Sequence, residues 1–282
     1  MTDVPVNSRL FGLKDVQVHV DDHGGSGRPV VLIHGWPLSG ESWIEQIGAL
    51  REAGYRVLTY DRRGFGRSDK PKSGYDYDTL ADDLAGVLDQ LDLTDVTLVG
   101  FSMGGGEVAR YIARHGEARL RSVVFAAAIT PMMMNAPGNP DGPLEKSKAA
   151  AMTAQLTADQ DAFYDQFIRQ FFSPNAEGDL LVTETQRHDA IRQCQQADKL
   201  AALEAMQSFG ITDFRDDLSR IDVPTLVLHG SADGIVPFEG SGDRTHREVS
   251  HSELTIVDGA PHGLNVSHAQ DFNRALIEFL DR

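Results

Sequence analysis

The segment Gly100–Gly104 has the order Gly-Phe-Ser-Met-Gly and sets Ser102 between two glycines. The apolar run Val96–Val99 precedes it, and a segment with helical periodicity, Met103–Arg114, follows it. Because the glycines let neighbouring chain approach closely, a tight strand-to-helix turn of this kind can hold a serine hydroxyl exposed at its tip. We therefore predict that Ser102 is a nucleophile for acyl transfer.

A serine hydroxyl needs a general base within hydrogen-bonding reach, and His262 has the position for that role. It follows the apolar run Glu253–Val257, on a loop at the carboxyl end of a predicted strand. The chain has 10 histidines. The rival His251 precedes that strand, and His246 and His268 lie in polar, helix-like surroundings. His229 precedes the predicted acid but could still line the site.

The acid that orients the base is predicted to be Asp233. It lies on the loop after the apolar run Pro224–Leu228, and the chain order serine, acid, histidine is that of the α/β hydrolases. The carboxylate would accept the Nδ1–H of the histidine and stabilise the imidazolium. An aspartate beside Gly234 is also a common turn pair, and Asp258 at the next strand end is the alternative acid.

Two backbone amides are candidates for binding the oxyanion of an acyl-transfer intermediate. One is the amide of Met103, directly after the nucleophile, and the other belongs to the loop His34–Leu38. Since Pro37 has no N–H, Trp36 is the natural second donor. The Trp36 ring is expected to wall the acyl site, to pack within the loop, or to do both.

The elements that must position these residues alternate between strand and helix patterns. Short apolar runs rich in β-branched residues, with helical patterns between them, indicate a mostly parallel central sheet flanked by helices. Together with the turn at Ser102, this arrangement resembles the α/β-hydrolase fold. A weakly alternating segment, Phe11–Val20, could form an antiparallel edge strand or a hairpin arm. The runs are Pro29–Ile33, Tyr55–Tyr60, Val96–Val99, Ser122–Ala127, Pro224–Leu228 and Glu253–Val257.

This alternation stops between about Pro131 and Ile211, where no good strand pattern occurs. We interpret residues 131–211 as a helical cap between two parts of the hydrolase core, residues 1–130 and 212–282. Its helix-like stretches are Glu145–Leu156, Asp159–Phe172 and Thr185–Met206. Its candidate pocket residues are Phe163, Phe167, Phe171 and Met132–Met134, although apolar stripes of this kind more often serve packing.

The composition excludes several classes of partner. With 42 acidic and 26 basic residues, the formal charge of −16 repels phosphate backbones and anionic headgroups, so neither nucleic acid nor a membrane is expected as a partner. The one cysteine, Cys194, permits no intrachain disulfide. Met1–Pro5 has no apolar run, so we expect no signal peptide and a cytoplasmic protein.

Several longer motifs together resemble the cofactor-free bacterial haloperoxidases, also called perhydrolases, and their arylesterase relatives. They are His34–Pro37, Asp61–Ser68, Gly100–Tyr111, Ser208–Phe214 and Ser231–Pro237. The resemblance implies an esterase with neither metal nor haem, acting on small-molecule esters. Its acyl-enzyme would pass the acyl group to water or to hydrogen peroxide, and the resulting peracid would oxidise halide.

The family's site residues fall on the positions already reached from the residues themselves. The triad corresponds to Ser102, Asp233 and His262, and the oxyanion donors to Trp36 and Met103. Oligomers are common in the family, so a homo-oligomer remains open.

Other functions are compatible with the same triad. Lactonases, γ-lactamases and carbon–carbon bond hydrolases use it, and a non-catalytic ligand-binding protein of this fold could retain it. Dehalogenases and epoxide hydrolases carry aspartate where this chain has Ser102. A metal-dependent hydrolase is a further alternative, but neither H-x-x-E-H nor H-E-x-x-H occurs in the sequence.

Overall fold

The computed structural model describes residues 6–282, so the expectation for Met1–Pro5 lies outside the described part of the chain. Eight strands form one sheet in the order β1-β2-β4-β3-β5-β6-β7-β8. The strands are β1 (Asn7–Gly12), β2 (Gln17–Asp22), β3 (Pro29–Ile33), β4 (Arg56–Asp61), β5 (Val96–Phe101), β6 (Leu120–Ala126), β7 (Thr225–Gly230) and β8 (Glu253–Val257).

The sheet is parallel from β4 to β8, and an antiparallel hairpin extends one edge. β1 pairs with β2, which in turn pairs antiparallel with β4. The segment Phe11–Val20 therefore contains the end of one hairpin strand, the turn and the start of the next. All six residues of β5 are buried, because a central parallel strand is covered on both faces.

Helices pack on the sheet in two separate groups. One group contains α1 (Ile44–Glu52), which contacts α11 (Ala269–Leu280). In the other, α2 (Tyr77–Gln90) contacts α3 (Met103–His115), and α3 contacts α8 (Arg215–Leu218). The predicted α/β-hydrolase fold is confirmed. The helices are α1 (Ile44–Glu52), α2 (Tyr77–Gln90), α3 (Met103–His115), α4 (Lys146–Ala158), α5 (Gln160–Phe171), α6 (Glu184–Gln195), α7 (Lys199–Ile211), α8 (Arg215–Leu218), α9 (Gly242–Glu248), α10 (Leu264–Ser267) and α11 (Ala269–Leu280).

Four of these helices, α4 to α7, follow one another between β6 and β7 and contact one another. The stretch expected to be one helix, Thr185–Met206, is divided between α6 and α7. Asp198 causes the division, because its side chain accepts hydrogen bonds from the amides of Leu200 and Ala201 and so begins a new helix. Its own amide donates to the carbonyl of Gly64, which ties this turn to the loop after β4.

Within residues 6–282, no helix combines the length and the apolar character that crossing a bilayer requires. The division into a core and a cap at residues 131 and 211 stays a prediction.

Candidate active site

The turn between β5 and α3 holds Ser102 in an unusual backbone conformation, with φ 54° and ψ −116°. Glycine is required on both sides of it. A Cβ on Gly100 would lie 2.5 Å from the carbonyl oxygen of Gly104, and a Cβ on Gly104 would lie 2.6 Å from that of Ile33. The Ser102 amide donates to the carbonyl of Ala126 at 2.9 Å, which fixes the turn against β6. Strain of this kind persists only where surrounding contacts impose it, and it is common at functional sites.

Three side chains from distant parts of the chain meet at this turn. The Ser102 hydroxyl lies 2.9 Å from His262 Nε2, and His262 Nδ1 lies 2.7 Å from Asp233 Oδ2. All three residues are buried. They stand at the carboxyl ends of β5, β7 and β8, where the loops of a parallel sheet converge.

Asp233 is held as an oriented carboxylate. Its Oδ1 accepts hydrogen bonds from the amides of Ile235 at 2.9 Å and Val236 at 2.8 Å. Burial alone would raise the pKa of Asp233, but the charge of His262 and hydrogen bonds from His229 and His262 outweigh it and hold the pKa below its usual value. Asp233 is therefore ionised at neutral pH and faces the Nδ1 side of the imidazole.

The His262 ring is fixed by aromatic contacts. Its centroid lies 5.2 Å from that of Phe101 and 4.8 Å from that of Phe171, which meets it edge to face. The next residue packs closely too, since a Cβ on Gly263 would lie 2.4 Å from the Phe172 ring. The imidazole is therefore positioned for both of its hydrogen bonds.

The alternative residues have other partners. Asp258, the alternative acid, accepts a hydrogen bond from the Ser231 hydroxyl at 3.0 Å. His229 Nε2 lies 3.3 Å from Asp233 Oδ2, the carboxylate oxygen that also bonds to His262. The three remaining rivals bond elsewhere: His246 to Ser252, His251 to the carbonyl of Val223, and His268 to Ser267.

The loop carrying Trp36 passes directly beside the nucleophile. A Cβ on Gly35 would lie 2.8 Å from the Phe101 ring and 3.2 Å from the Cβ of Ser102, so glycine permits this close approach. Among residues 6–282, the amides of Trp36 and Met103 donate no hydrogen bond. Both amides are thus free to donate, and that of Met103 lies at the start of α3, where a helix N-terminus favours negative charge.

The Trp36 ring is packed in the interior and also lies in the wall of the cavity that contains Ser102. Its Nε1 donates to the carbonyl of Ala202 at 3.0 Å. Three phenylalanine rings meet it edge to face, from Phe163, Phe167 and Phe209. The indole therefore joins the loop after β3 to α5 and α7.

A buried ion pair, which the sequence analysis did not find, supports the same loop. Arg62 pairs with Glu107 on α3, and its guanidinium also donates to the carbonyl of His34 at 2.6 Å. The Arg62 amide donates to His34 Nε2 at 3.0 Å, and the Tyr60 hydroxyl donates to Glu107 at 2.6 Å. Burial raises the pKa of Glu107, and the Arg62 charge opposes that rise. The available signal was Glu107 alone, a charged residue among the small and apolar residues Gly104–Ala109.

A cavity of about 780 Å³ opens from the triad. Ser102 and His262 lie in its wall. Of the candidate pocket residues, four line the cavity, whereas Phe171 packs on His262 and Met132 is not part of the wall. Apolar lining residues include Trp36, Ile129, Met133, Met134, Phe163, Phe167, Met206 and Phe209; polar ones include Lys148, Gln166, Gln170, Glu177, Glu204 and Gln207.

Within the described residues, no group of three or more His, Cys, Asp or Glu side chains is arranged to hold a metal ion.

The fold and the site together define the class of protein. Residues 28–269 match the family model of the α/β hydrolase fold, and the chain belongs to that family.

Its relatives confirm the narrower resemblance to non-heme haloperoxidases. The chain is 43% identical over 261 residues to a non-heme chloroperoxidase of Kitasatospora aureofaciens, covering 92% of this chain and 94% of the relative. It is 36% identical to a bifunctional esterase/perhydrolase of Acinetobacter calcoaceticus, covering 94% and 96%. Among solved structures, a bromoperoxidase from Bacillus anthracis has a TM-score of 0.93 and 44% identity, covering 99% of this chain and 100% of that chain.

Proposed function

We propose that the protein hydrolyses carboxylic esters through an acyl-enzyme on Ser102, with His262 as general base and Asp233 as the acid that orients it. The observation that carries the proposal is the unbroken hydrogen-bond chain from Asp233 through His262 to Ser102, ending at an apolar cavity. The esterase and perhydrolase relatives support the same reaction class.

Acylation follows from the geometry. The Ser102 hydroxyl attacks the ester carbonyl carbon while His262 Nε2 takes its proton. The carbonyl oxygen becomes an oxyanion and accepts hydrogen bonds from the amides of Trp36 and Met103. His262 then gives the proton to the leaving alcohol oxygen as the carbon–oxygen bond breaks, and the acyl group stays on Ser102.

Deacylation repeats these steps with a new acceptor. Water loses a proton to His262 and attacks the acyl carbon, which releases the carboxylic acid and restores the Ser102 hydroxyl. Hydrogen peroxide in place of water gives the peracid, and the peracid then oxidises halide away from the enzyme. This perhydrolase activity is supported by the chloroperoxidase and perhydrolase relatives.

The lining of the cavity favours an uncharged small-molecule ester with a sizeable apolar part as the substrate. Tryptophan, phenylalanine and methionine side chains form much of the wall near the triad. A formal charge of −16 disfavours anionic substrates in solution. We propose that the segment 131–211 acts as the cap that selects the substrate, since α4, α5 and α7 supply much of this wall.

The test is a panel of p-nitrophenyl esters of increasing acyl length, assayed with and without hydrogen peroxide. Without peroxide, we expect a burst of p-nitrophenol and release of the carboxylic acid. With peroxide, we expect halide oxidation. The Ser102→Ala variant should show none of these. Turnover of lactones, lactams or carbon–carbon substrates without ester turnover would favour the alternative hydrolases. No burst and no turnover on any substrate would favour a binding protein.

A cytoplasmic location is proposed with this function. The unpaired, buried Cys194 is compatible with a reducing compartment. A homo-oligomer, and the expected lack of nucleic-acid and membrane partners, remain predictions.

A further inference from the structure

A second histidine contacts the acid of the triad. His229, near the end of β7, is fully buried. Its Nε2 lies 2.9 Å from the carbonyl oxygen of Val236 and 3.3 Å from Asp233 Oδ2. Because a backbone carbonyl can only accept, Nε2 must carry a proton. That N–H is shared between the carbonyl and the carboxylate.

The opposite ring nitrogen of His229, Nδ1, lies in an apolar environment. Among the described residues, His229 Nδ1 has no hydrogen-bond partner. It faces Gly242, where an added Cβ would lie 2.6 Å from Nδ1, and the Phe238 ring packs against the imidazole. A buried polar atom without a partner costs free energy that an apolar side chain would avoid. The position therefore benefits from the Nε2–H donor and not from packing alone.

The shared carboxylate oxygen makes the contact relevant to chemistry. Oδ2 of Asp233 accepts from His229 and is also the oxygen that receives the Nδ1–H of His262. The titratable groups that face this carboxylate are His229 and His262, and its Oδ1 is occupied by two amides. A donor from His229 thus fixes the rotation of the carboxylate and withdraws charge from the oxygen that holds His262.

We propose that His229 is a positioning residue for the hydrolysis, acting through Asp233 to set how strongly His262 is held and at what pH it works as a base. The inference rests on the proposed function. It makes a specific prediction: without the donor, the Asp233–His262 bond tightens, the protonated imidazole is favoured, and the acidic limb of the pH profile moves to higher pH.

The experiment compares His229→Leu, which removes the donor, with His229→Gln, whose amide N–H can reach both acceptors. In His229→Leu we expect kcat to fall about tenfold with KM nearly unchanged. The acidic limb of the kcat/KM profile should move to higher pH by about half a unit. In His229→Gln most of both effects should be reversed. His23→Leu is the matched control, since His23 is also buried but bonds to Thr59 Oγ1 at 3.0 Å on β4. It should lower Tm without moving the pH limb.

Equal losses in the Leu and Gln variants, or a lower Tm with an unmoved pH limb, would overturn the proposal and leave His229 a packing residue. If His229→Leu does not fold, His229→Asn takes its place, because its shorter amide cannot reach Asp233. The low-field proton NMR signal of the His262 Nδ1–H gives a readout without substrate. It should shift in the Leu or Asn variant and stay near its wild-type position in His229→Gln. A wild-type protein that cleaves no ester would refute the proposed function, while this signal would still test the His229 contact.

Discussion

Glu107, on the helix that begins after the nucleophile, is paired in the protein interior with Arg62. The same guanidinium holds the carbonyl of His34, two residues before the proposed oxyanion donor Trp36. One ion pair therefore joins α3 to the loop after β3. Ser102 and the amide of Trp36, which act on the same carbonyl group in the proposed mechanism, are tied to each other through it.

The Glu107→Gln variant should lose both stability and activity. Removal of one partner leaves the Arg62 charge buried and uncompensated, which costs about 3–5 kcal/mol in the free energy of unfolding. Loosening of the Trp36 loop should also lower kcat by more than it changes KM. Urea unfolding and steady-state kinetics measure the two effects. The control Glu52→Gln changes an exposed carboxylate on α1 and should leave both within error. Normal stability in Glu107→Gln would contradict the proposed support.

The Ser102→Ala variant should keep the fold and lose turnover. Loss of a nucleophile in a serine triad lowers kcat by about a million-fold, and the remaining rate comes from the oxyanion donors and binding. The positive φ at residue 102 is unchanged by this substitution, so Tm should stay close to the wild-type value. Ester hydrolysis and thermal unfolding are measured together. Substantial remaining ester hydrolysis would assign the chemistry to another residue.

The Asp233→Asn variant should separate a catalytic effect from a pH-dependent stability effect. The histidine would lose its orienting acceptor, and kcat should fall by about 10⁴-fold. The pKa of Asp233 in the fold lies below that of the unfolded chain, so its ionised form stabilises the protein at neutral pH. That contribution is present above the unfolded value of about 3.9 and is lost as pH falls through the lower folded pKa.

The stability difference between wild type and Asp233→Asn should therefore narrow on acidification. Urea unfolding between about pH 7 and pH 3 measures this difference. A difference that does not change with pH would mean that the Asp233 carboxylate is not stabilised in the fold.

The Phe163→Ala variant should change the substrate preference more than the chemistry. Phe163 lines the cavity and packs against Trp36, and its truncation enlarges the acyl space at a stability cost of about 3–5 kcal/mol. The kcat/KM optimum should move to longer acyl chains in the p-nitrophenyl ester panel. Phe272→Ala is the matched control, because Phe272 on α11 is buried against Trp43 and is not part of the cavity wall. Equal chain-length profiles in both variants would place the acyl group elsewhere.

Local patterns in the sequence were enough to predict the turn at Ser102, the sheet and the three side chains that meet at this turn. The turn at Ser102 requires glycines that are its near neighbours in the sequence, so a short motif reveals it. A parallel strand covered on both faces is an unbroken apolar run, so the sequence shows it directly. His262 and Asp233 could be selected because they follow strands, and the carboxyl ends of parallel strands share one edge.

Contacts between distant, buried polar groups were decided only by the tertiary structure. Arg62 and Glu107 are 45 residues apart, and nothing in either segment indicates the partner of its charge. The bond between His229 and Asp233, and the packing of Phe171 on His262, likewise depend on how β7, β8 and α5 come together. The physical reason is that a buried charge or ring is stabilised by whichever group the fold brings within contact, and periodicity along the chain carries no information about that pairing.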